Sequence, residues 1–369
     1  MKFTCSKNDL SEALQTVSRA VANKPQMPIL SGVYIRAEGS TLEMQANNFS
    51  LGIIAKTPVN TEEPGELVVV GKYFLEIVRK LSGDAVTISY EPGESVVNIQ
   101  SESASFNLMA MSPEDFPKVK SQEVVTSFKI RAGKLKNLIR KTAFACSTDE
   151  VRPIFTGCLF EIGGTSVTVA ATNTHRLSIV RDQLAEEVAE LRFVVPAGNL
   201  RDLMRMLESS APENPVTVDY CGKYMSFTFD NIFMTSRLIE GQFPPYDKVI
   251  PSSSETFVTA NVAELLSAVD RVALISKETE YNTIRFIFSQ NGIEISSTSP
   301  EVGKASEHVA CTIEGPDLDI SFNVAYIFDV LKALDGAECR IALNQRLSPA
   351  DIREAGNDNF IYVVTPVRT

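Results

Sequence analysis

Tryptophan is absent from this chain of 369 residues, and histidine occurs only twice, at His175 and His308. An isolated histidine is more often a surface or packed residue than a catalyst. The chain also lacks the H-E-x-x-H, G-x-S-x-G and P-loop motifs, which supply metal ligands, an acyl-transfer nucleophile or a phosphate cradle. We therefore expect no catalytic residue, no metal site and no cofactor. An enzyme whose site is assembled from distant residues is the alternative.

Cysteine and long apolar runs are also scarce. The six cysteines are scattered without a C-x-x-C pair, which argues against a zinc site and a disulfide framework. No run approaches the roughly 18 apolar residues that span a bilayer, and the first residues, MKFTCSKNDL, lack the apolar core of a signal peptide. We therefore expect buried free thiols and a cytoplasmic protein.

The composition that remains is that of a folded protein. Apolar residues make up 44% of the chain and charged residues 22%, as in ordinary globular proteins. The net charge of -11 repels phosphate groups at long range, so contact with nucleic acid would need a local basic surface. The length predicts two or three domains of ordinary size.

Helical periodicity occurs in two series, each repeated three times. Apolar residues at i, i+3, i+4 and i+7 predict a helix with one buried face. The first series starts at Leu10, Leu135 and Leu265, with one threonine at an apolar position, and the second starts at Phe74, Leu200 and Ile327. The starts of the second series lie about 126 residues apart, and such a long period indicates a repeat architecture.

Strand patterns fill the space between the helices. Segments such as GVYIRA, TLEMQA and SVTVAA alternate with period two, which predicts strands. Each repeat then reads β-α-β-β-β twice, so the predicted fold is α+β: three similar domains with helices on one side of antiparallel sheets. Polar or proline-bearing linkers at Pro117–Ser127 and Ile250–Thr256 place the domains at 1–123, 124–252 and 253–369.

Basic residues follow the same repeat. The position five residues after each start in the second series lies on the helix face turned away from the sheet, and it holds Arg79, Arg205 and Lys332. The segment from Arg131 to Lys141 has no acidic residue, and its further candidates for DNA contact are Lys134, Lys136, Arg140 and Lys141. A basic helix in an acidic chain indicates a DNA-facing surface. For any single helix, an ordinary solvated face is the alternative.

The number of helices bears on how DNA could be held. Six helices packed about 10 Å apart around a hole would leave an opening of roughly 9 Å, whereas twelve would leave roughly 28 Å. Only the larger opening admits a duplex about 20 Å across, so such a ring would need two chains. It would contact phosphates without sequence preference. A repeat scaffold that binds only protein is the rival hypothesis, and the basic helix faces argue against it.

Segments along essentially the whole chain resemble the bacterial DNA polymerase III beta sliding clamps. The most specific are MKFT at the start, KPQMPIL from Lys24, VRPIFTGCLFEI from Val151, ATNTHRL from Ala171, GQFPPYDKVIP from Gly241 and YVVTPVR near the end. The resemblance implies a head-to-tail homodimeric ring that encircles duplex DNA without sequence specificity. It also implies that the ring tethers the replicative polymerase, the clamp loader, and other polymerases and repair proteins through short linear motifs, conferring processivity.

The resemblance further implies a peptide-binding cleft between the second and third domains. Its apolar walls, with a few polar groups, would suit a short apolar peptide, and His175 and Arg176 would hydrogen-bond that peptide. The matching residues are Phe155, Thr172, Thr174, His175, Arg176, Leu177, Pro244, Lys248, Val249, Leu347, Pro349, Val363, Val364, Thr365, Pro366, Val367 and Arg368. The implied subunit contact and one further basic channel residue are Phe106, Leu108, Leu274, Ile275 and Lys24.

Overall fold

The computed structural model describes residues 1–276 and 282–368 of the chain. These residues form six α-helices and 24 strands. They divide into two compact units, one comprising Met1–Lys134 with Asp202–Leu238 and the other comprising Leu135–Arg201 with Ile239–Thr369. No helix within the described ranges is long and apolar enough to cross a membrane.

The six helices are those that the apolar periodicity predicts. Two of them begin at asparagine caps, a residue type favoured there: the Asn323 side chain accepts a hydrogen bond from the Ala325 amide at 2.9 Å, and the Asn261 side chain accepts one from the Glu264 amide at 3.0 Å. The template residues are buried in every helix, apart from half-buried Ile77 and Met204. The helices span Lys7–Val17 (α1), Gly71–Lys80 (α2), Ala132–Arg140 (α3), Ala197–Met206 (α4), Val262–Ser276 (α5) and Val324–Ala333 (α6).

The first repeat contains two β-α-β-β-β units, as predicted, with one extra short strand, β5, between them. The units run β1-α1-β2-β3-β4 and β6-α2-β7-β8-β9. The strands are Lys2–Ser6 (β1), Gly32–Glu38 (β2), Thr41–Asn47 (β3), Leu51–Pro58 (β4), Asn60–Glu63 (β5), Gly65–Val70 (β6), Ala85–Tyr90 (β7), Val96–Ser101 (β8) and Ala104–Met111 (β9).

The second repeat departs from this count because two long strands each take the place of two shorter ones. They are β11 of 16 residues and β12 of 21 residues, and their pairing register shifts around Gly164. A β-bulge of this kind bends a strand without ending it. The strands are Thr126–Arg131 (β10), Gly157–Thr172 (β11), Arg176–Pro196 (β12), Pro215–Tyr220 (β13), Tyr224–Phe229 (β14) and Ile232–Arg237 (β15).

The third repeat returns to the order of the first, again with a short extra strand, β20. Its sequence is β16-α5-β17-β18-β19-β20-β21-α6-β22-β23-β24. The strands are Thr256–Asn261 (β16), Thr283–Ser289 (β17), Gly292–Ser299 (β18), Gly303–Val309 (β19), Cys311–Glu314 (β20), Leu318–Asn323 (β21), Glu338–Leu343 (β22), Ala350–Glu354 (β23) and Asn357–Val364 (β24).

Both units contain sheets that join strands of successive repeats. In the first unit, a 13-stranded sheet runs β10-β13-β14-β15-β4-β3-β2-β6-β9-β8-β7-β1-β5. In the second unit, a seven-stranded sheet runs β11-β12-β24-β23-β22-β16-β20, and a four-stranded sheet runs β19-β18-β17-β21. The joining pairs, β15 with β4 and β24 with β12, are antiparallel. Backbone hydrogen bonds therefore connect the second repeat to the first and the third to the second.

Candidate functional site

The segment ATNTHRL forms a tight turn between β11 and β12. The Asn173 carboxamide oxygen accepts hydrogen bonds from the backbone amides of His175 and Arg176, both at 3.1 Å. The Thr172 hydroxyl accepts from the Thr174 amide at 3.0 Å and donates to the Arg176 carbonyl at 2.6 Å. Thr174 has a φ of 75°, a conformation that β-branched residues adopt only when their surroundings impose it. These bonds hold His175 at the surface and Arg176 in the interior.

Arg176 contacts the third repeat instead of facing solvent. Its guanidinium donates to the Asp329 carboxylate at 2.6 Å and to the Phe144 carbonyl. It lies over two aromatic rings, 4.5 Å from the Tyr326 centroid and 5.5 Å from the Phe144 centroid. Burial lowers the pKa of this guanidinium, but neighbouring Tyr362 and Asp329 outweigh burial, so the pKa is raised. The side chain is 9% exposed and already paired with Asp329, and a hydrogen bond from Arg176 to a bound peptide stays a prediction.

Tyr326 and Asp329 were not identified from the sequence. Both lie on α6, and Tyr326 stacks on the ring of His175 with a centroid separation of 6.5 Å and an interplanar angle of 17°. The Tyr326 carbonyl also accepts a hydrogen bond from the Tyr362 hydroxyl at 2.9 Å. Asp329 lies 153 residues from Arg176, so no local pattern could pair them.

An apolar cluster lies beneath the turn. It contains Leu177, Val363 and Phe243 together with Leu159, Ala170, Ile179, Val194, Tyr246 and Ile361. Leu177 and Val363 are directly opposite each other in the β12–β24 pair, and they are only 2% and 1% exposed. They therefore form a packed floor, which corrects the expectation that they present an open wall to a peptide. Val364 and Phe155 are buried as well.

Several other residues predicted for the cleft are exposed or half-buried. Val249 is 48% and Leu347 58% exposed, Pro244 is exposed, and Pro349, Pro366 and Val367 are half-buried. Lys248 and Arg368 are exposed basic residues of the same segments. Large exposed apolar side chains rimmed by polar groups mark interaction sites on soluble proteins.

The C-terminal segment is attached directly to the turn. The Thr365 amide and hydroxyl both donate to the His175 carbonyl, at 2.9 and 3.0 Å, and the Val367 amide donates to the Ser321 carbonyl at 2.8 Å. Of the residues predicted for the cleft, the structure thus brings together His175 with Thr365 and Leu177 with Val363.

The repeated basic positions are exposed, each within its own unit. Arg79 and Arg205 lie on the solvent side of α2 and α4 in the first unit, and Lys332 lies on that of α6 in the second. Lys24 is exposed with a φ of 51°, and Lys134 and Lys136 are half-buried. All six residues stay predictions for DNA contact.

Lys141 and Arg140 form ion pairs with residues of the third repeat. Lys141 is 5% exposed, and its ammonium group lies 2.7 Å from the Glu354 carboxylate and 2.9 Å from that of Asp335. Arg140 donates to Asp335 at 2.6 Å and to the Ala333 carbonyl at 3.0 Å. Carboxylates of the third repeat therefore pair both cations, although Arg140 is 33% exposed whereas Lys141 is buried. Contact of either residue with DNA stays a prediction.

The residues predicted for the subunit contact are accessible apolar side chains. Phe106 on β9 is 41% and Leu274 on α5 66% exposed, while Leu108 and Ile275 are half-buried. Met109, also on β9, is 65% exposed and was not identified from the sequence. Within the described ranges, no group of three or more histidine, cysteine or acidic residues could hold a metal ion.

Family models of the DNA polymerase III beta subunit match the chain in three consecutive parts. The N-terminal domain model matches residues 1–120, the central domain model residues 129–245 and the C-terminal domain model residues 247–368. The chain belongs to the DNA polymerase III beta subunit family. The prediction of three similar α+β domains is thereby confirmed.

Relatives within the beta subunit family align from end to end. The Beta sliding clamp of Bacillus subtilis is 33% identical and that of Vibrio cholerae 30% identical, each alignment covering 100% of both chains. The solved Bacillus subtilis sliding clamp superimposes with a TM-score of 0.93, covering 100% of this chain and 99% of that one at 33% identity. A Pseudomonas aeruginosa sliding clamp bound to griselimycin gives 0.92 at 29% identity, covering 100% of both chains.

Proposed function

We propose that this protein is a DNA sliding clamp, a head-to-tail homodimeric ring that encircles duplex DNA without sequence specificity. It is a processivity factor with no catalytic activity of its own. The full-length similarity to proteins named beta sliding clamps supports this proposal. Topology retains such a ring on DNA, so loose phosphate contacts suffice and sliding stays free.

The main support for the dimer is a strand pairing that occurs at both junctions between successive repeats. The last strand of the second repeat, β15, pairs with β4 of the first, and the last strand of the third repeat, β24, pairs with the corresponding part of β12. Two strands at equivalent positions remain. β9 is the last strand of the first repeat, as β15 and β24 are of theirs, and β19 is the third-repeat equivalent of β4, since it follows β18 as β4 follows β3. Within the described residues β19 pairs only with β18, at the end of its sheet.

A second copy of the chain would complete the series. If β9 of one protomer pairs with β19 of its partner, the third junction matches the other two, and two such junctions close a ring. The exposed apolar residues lie at the required places, since Phe106 and Met109 are on β9 and Leu274 is on α5, which packs against β19. β9 pairs with β8 along residues 104–109 and with β6 only at Ala110 and Met111, so the side of residues 104–109 that faces away from β8 has no strand partner among the described residues. Unpaired strand edges and exposed apolar side chains both favour association.

Partner proteins would dock on the apolar surface around the His175 turn. We assign to this surface short linear motifs of the replicative polymerase, the clamp loader, and other polymerases and repair proteins. Val249 and Leu347 offer exposed apolar contacts, and Lys248 and Arg368 offer charged ones. Short peptides that bind through a few anchoring side chains typically have dissociation constants near micromolar, which correspond to a binding free energy of about -8 kcal/mol.

Retention on circular DNA tests the clamp. The protein should be loaded onto nicked circular DNA with a bacterial clamp loader, separated from free protein by gel filtration, and divided into two samples. We expect it to stay on the circle in the first sample and to leave when a restriction enzyme cuts the circle in the second. Equal retention on both forms would overturn the topological mechanism.

Deletion of residues 365–369 tests the docking surface. It removes the two Thr365 hydrogen bonds to His175 and the Val367 bond to Ser321, while the β9 edge is untouched. Losing two or three contacts at about 1 kcal/mol each should weaken binding about a hundredfold. The measurement is fluorescence anisotropy with a labelled peptide containing glutamine, leucine and phenylalanine. Equal affinities for the intact and shortened chains would place the docking surface elsewhere.

A further inference from the structure

Two arginine–aspartate pairs share the position of the aspartate in the repeat, although their arginines come from different elements, Arg19 from a short helix after α1 and Arg176 from the start of β12. In the first unit, Arg19 from the first repeat lies 3.3 Å from Asp202 on α4. In the second unit, Arg176 from the second repeat lies 2.6 Å from Asp329 on α6. Each aspartate comes two residues after the start of the second helical series. Both pairs therefore link one repeat to the next at the same helical position.

Only the second pair is connected to the surface proposed to bind peptides. The Arg176 guanidinium lies over the rings of Phe144 and Tyr326, and Tyr326 stacks on His175. His175 in turn accepts both hydrogen bonds from Thr365. A chain of contacts thus runs from the Asp329 carboxylate to the exposed turn and to the C-terminal segment.

The carboxylate is needed to keep the guanidinium in this position. Arg176 is 9% exposed, and its Nε is buried without a hydrogen-bond partner, so Asp329 supplies its counter-charge. A buried charge that loses its partner moves toward water or disrupts its surroundings. Movement of the guanidinium would remove the support of the Tyr326 ring and loosen its stacking on His175.

We propose that Asp329 is a positioning residue of the peptide-binding surface, acting through Arg176 on Tyr326 and His175. This inference rests on the proposed function, because it assumes that the His175 turn receives the peptide. The Asp329 side chain is 35% exposed and is not assigned a contact with the peptide.

Asp329→Asn and Asp202→Asn form a matched pair of variants. Each variant replaces a carboxylate by a neutral carboxamide and weakens one arginine–aspartate pair between repeats. Only the Arg176–Asp329 pair is connected to His175. With the labelled glutamine-leucine-phenylalanine peptide, Asp329→Asn should bind about tenfold more weakly, within the usual range of coupling between linked sites. Asp202→Asn should bind within about twofold of the wild type. Asp329→Glu, which keeps the charge, should recover most of the affinity.

The two histidines supply a readout independent of affinity. Ring-current shifts from Tyr326 act on His175, whereas His308 bonds the Asn291 carbonyl at 2.8 Å in another part of the third repeat. In a histidine-labelled sample, Asp329→Asn should move the His175 ring resonances and leave those of His308 in place. Asp202→Asn should move neither.

The outcomes distinguish failure of the positioning role of Asp329 from failure of the peptide-binding surface. If the wild type binds the peptide and Asp329→Asn binds equally well with unchanged His175 resonances, the positioning role is refuted while the peptide surface stands. If Asp202→Asn weakens binding as much as Asp329→Asn, the effect is one of general stability and the positioning role is again refuted. If the wild type does not bind the peptide, the proposed docking surface fails and the inference fails with it.

Discussion

Replacing Lys141 by methionine should destabilise the second compact unit by about 3 kcal/mol. Methionine has a similar length and no charge, so it leaves no large void. The ammonium group of Lys141 lies 2.7 Å from Glu354 and 2.9 Å from Asp335, and it also lies 5.1 Å from the centre of the Phe360 ring. The substitution therefore leaves a carboxylate that is 9% exposed without its cation.

The magnitude follows from what each carboxylate retains. Breaking a buried ion pair by removing one partner costs about 3 to 5 kcal/mol. Glu354 keeps two donors, the Asp335 amide at 2.9 Å and the Asn357 side chain at 2.7 Å. Asp335 is 57% exposed and keeps Arg140. Because these contacts survive, we place the cost at the lower end of the range.

Urea denaturation monitored by circular dichroism is the appropriate assay. With a denaturant dependence of about 3 kcal/mol per molar, a loss of 3 kcal/mol lowers the midpoint by about 1 M. Lys332→Met, at an exposed position in the same unit, is the matched control and should change stability by less than about 0.5 kcal/mol. A change below about 1 kcal/mol for Lys141→Met would refute the reasoning from burial.

The ionic cluster of Lys141, Glu354 and Asp335 also makes the stability of the protein depend on pH. Burial raises the pKa of Glu354, but hydrogen bonds from the Asp335 amide and Lys141 outweigh it, and the pKa is lowered. The pKa of Asp335 is lowered in the same way, by Lys141 and Arg140 against burial. A carboxyl with a depressed pKa in the folded state contributes stability that is complete above its ordinary pKa of about 4 and is lost as the pH falls below it. The free energy of unfolding of Lys141→Met should therefore fall less than that of the wild type when the pH is lowered below about 4.

Three further changes test other parts of the structure. Replacing Leu274 by Ala together with Ile275 by Lys should give a folded monomer, because an unpaired charge is costly at an apolar contact; a light-scattering mass of twice 40.4 kDa would contradict this. Replacing Arg79 and Arg205 by Gln should weaken binding to all duplex sequences alike and lower the slope of log affinity against log salt concentration by up to about four charges per ring, two from each protomer, whereas loss for one sequence only would indicate base reading. Burial raises the pKa of the Cys339 thiol to about 11, so this thiol should react with an aromatic disulfide reagent at pH 8 only after unfolding; labelling of Cys339 in the native protein would contradict its burial.

The sequence by itself determined the features that depend on local periodicity. Six amphipathic helices, their buried faces and the threefold repeat follow from apolar residues spaced at i, i+3, i+4 and i+7, because each helix must bury one face on its own sheet. Leu10, Leu135 and Leu265, the starts of the first series, are all buried. The long strands β11 and β12 were not predicted, since the Gly163-Gly164 pair is typical of a turn between two strands, whereas the structure carries β11 through it with a shift of register.

Only the tertiary structure decided which polar side chains are available to a ligand. Arg176 was expected at a peptide site because of the family resemblance, and Lys141 was expected to contact DNA because it belongs to a segment without acidic residues. Neither signal reports which side chains from distant parts of the chain lie beside these cations. Asp329 and Glu354, which pair with them, lie 153 and 213 residues further along the chain. Junction pairing between repeats brings these carboxylates to the cations, and a charge that enters the interior is retained there only when such a partner meets it.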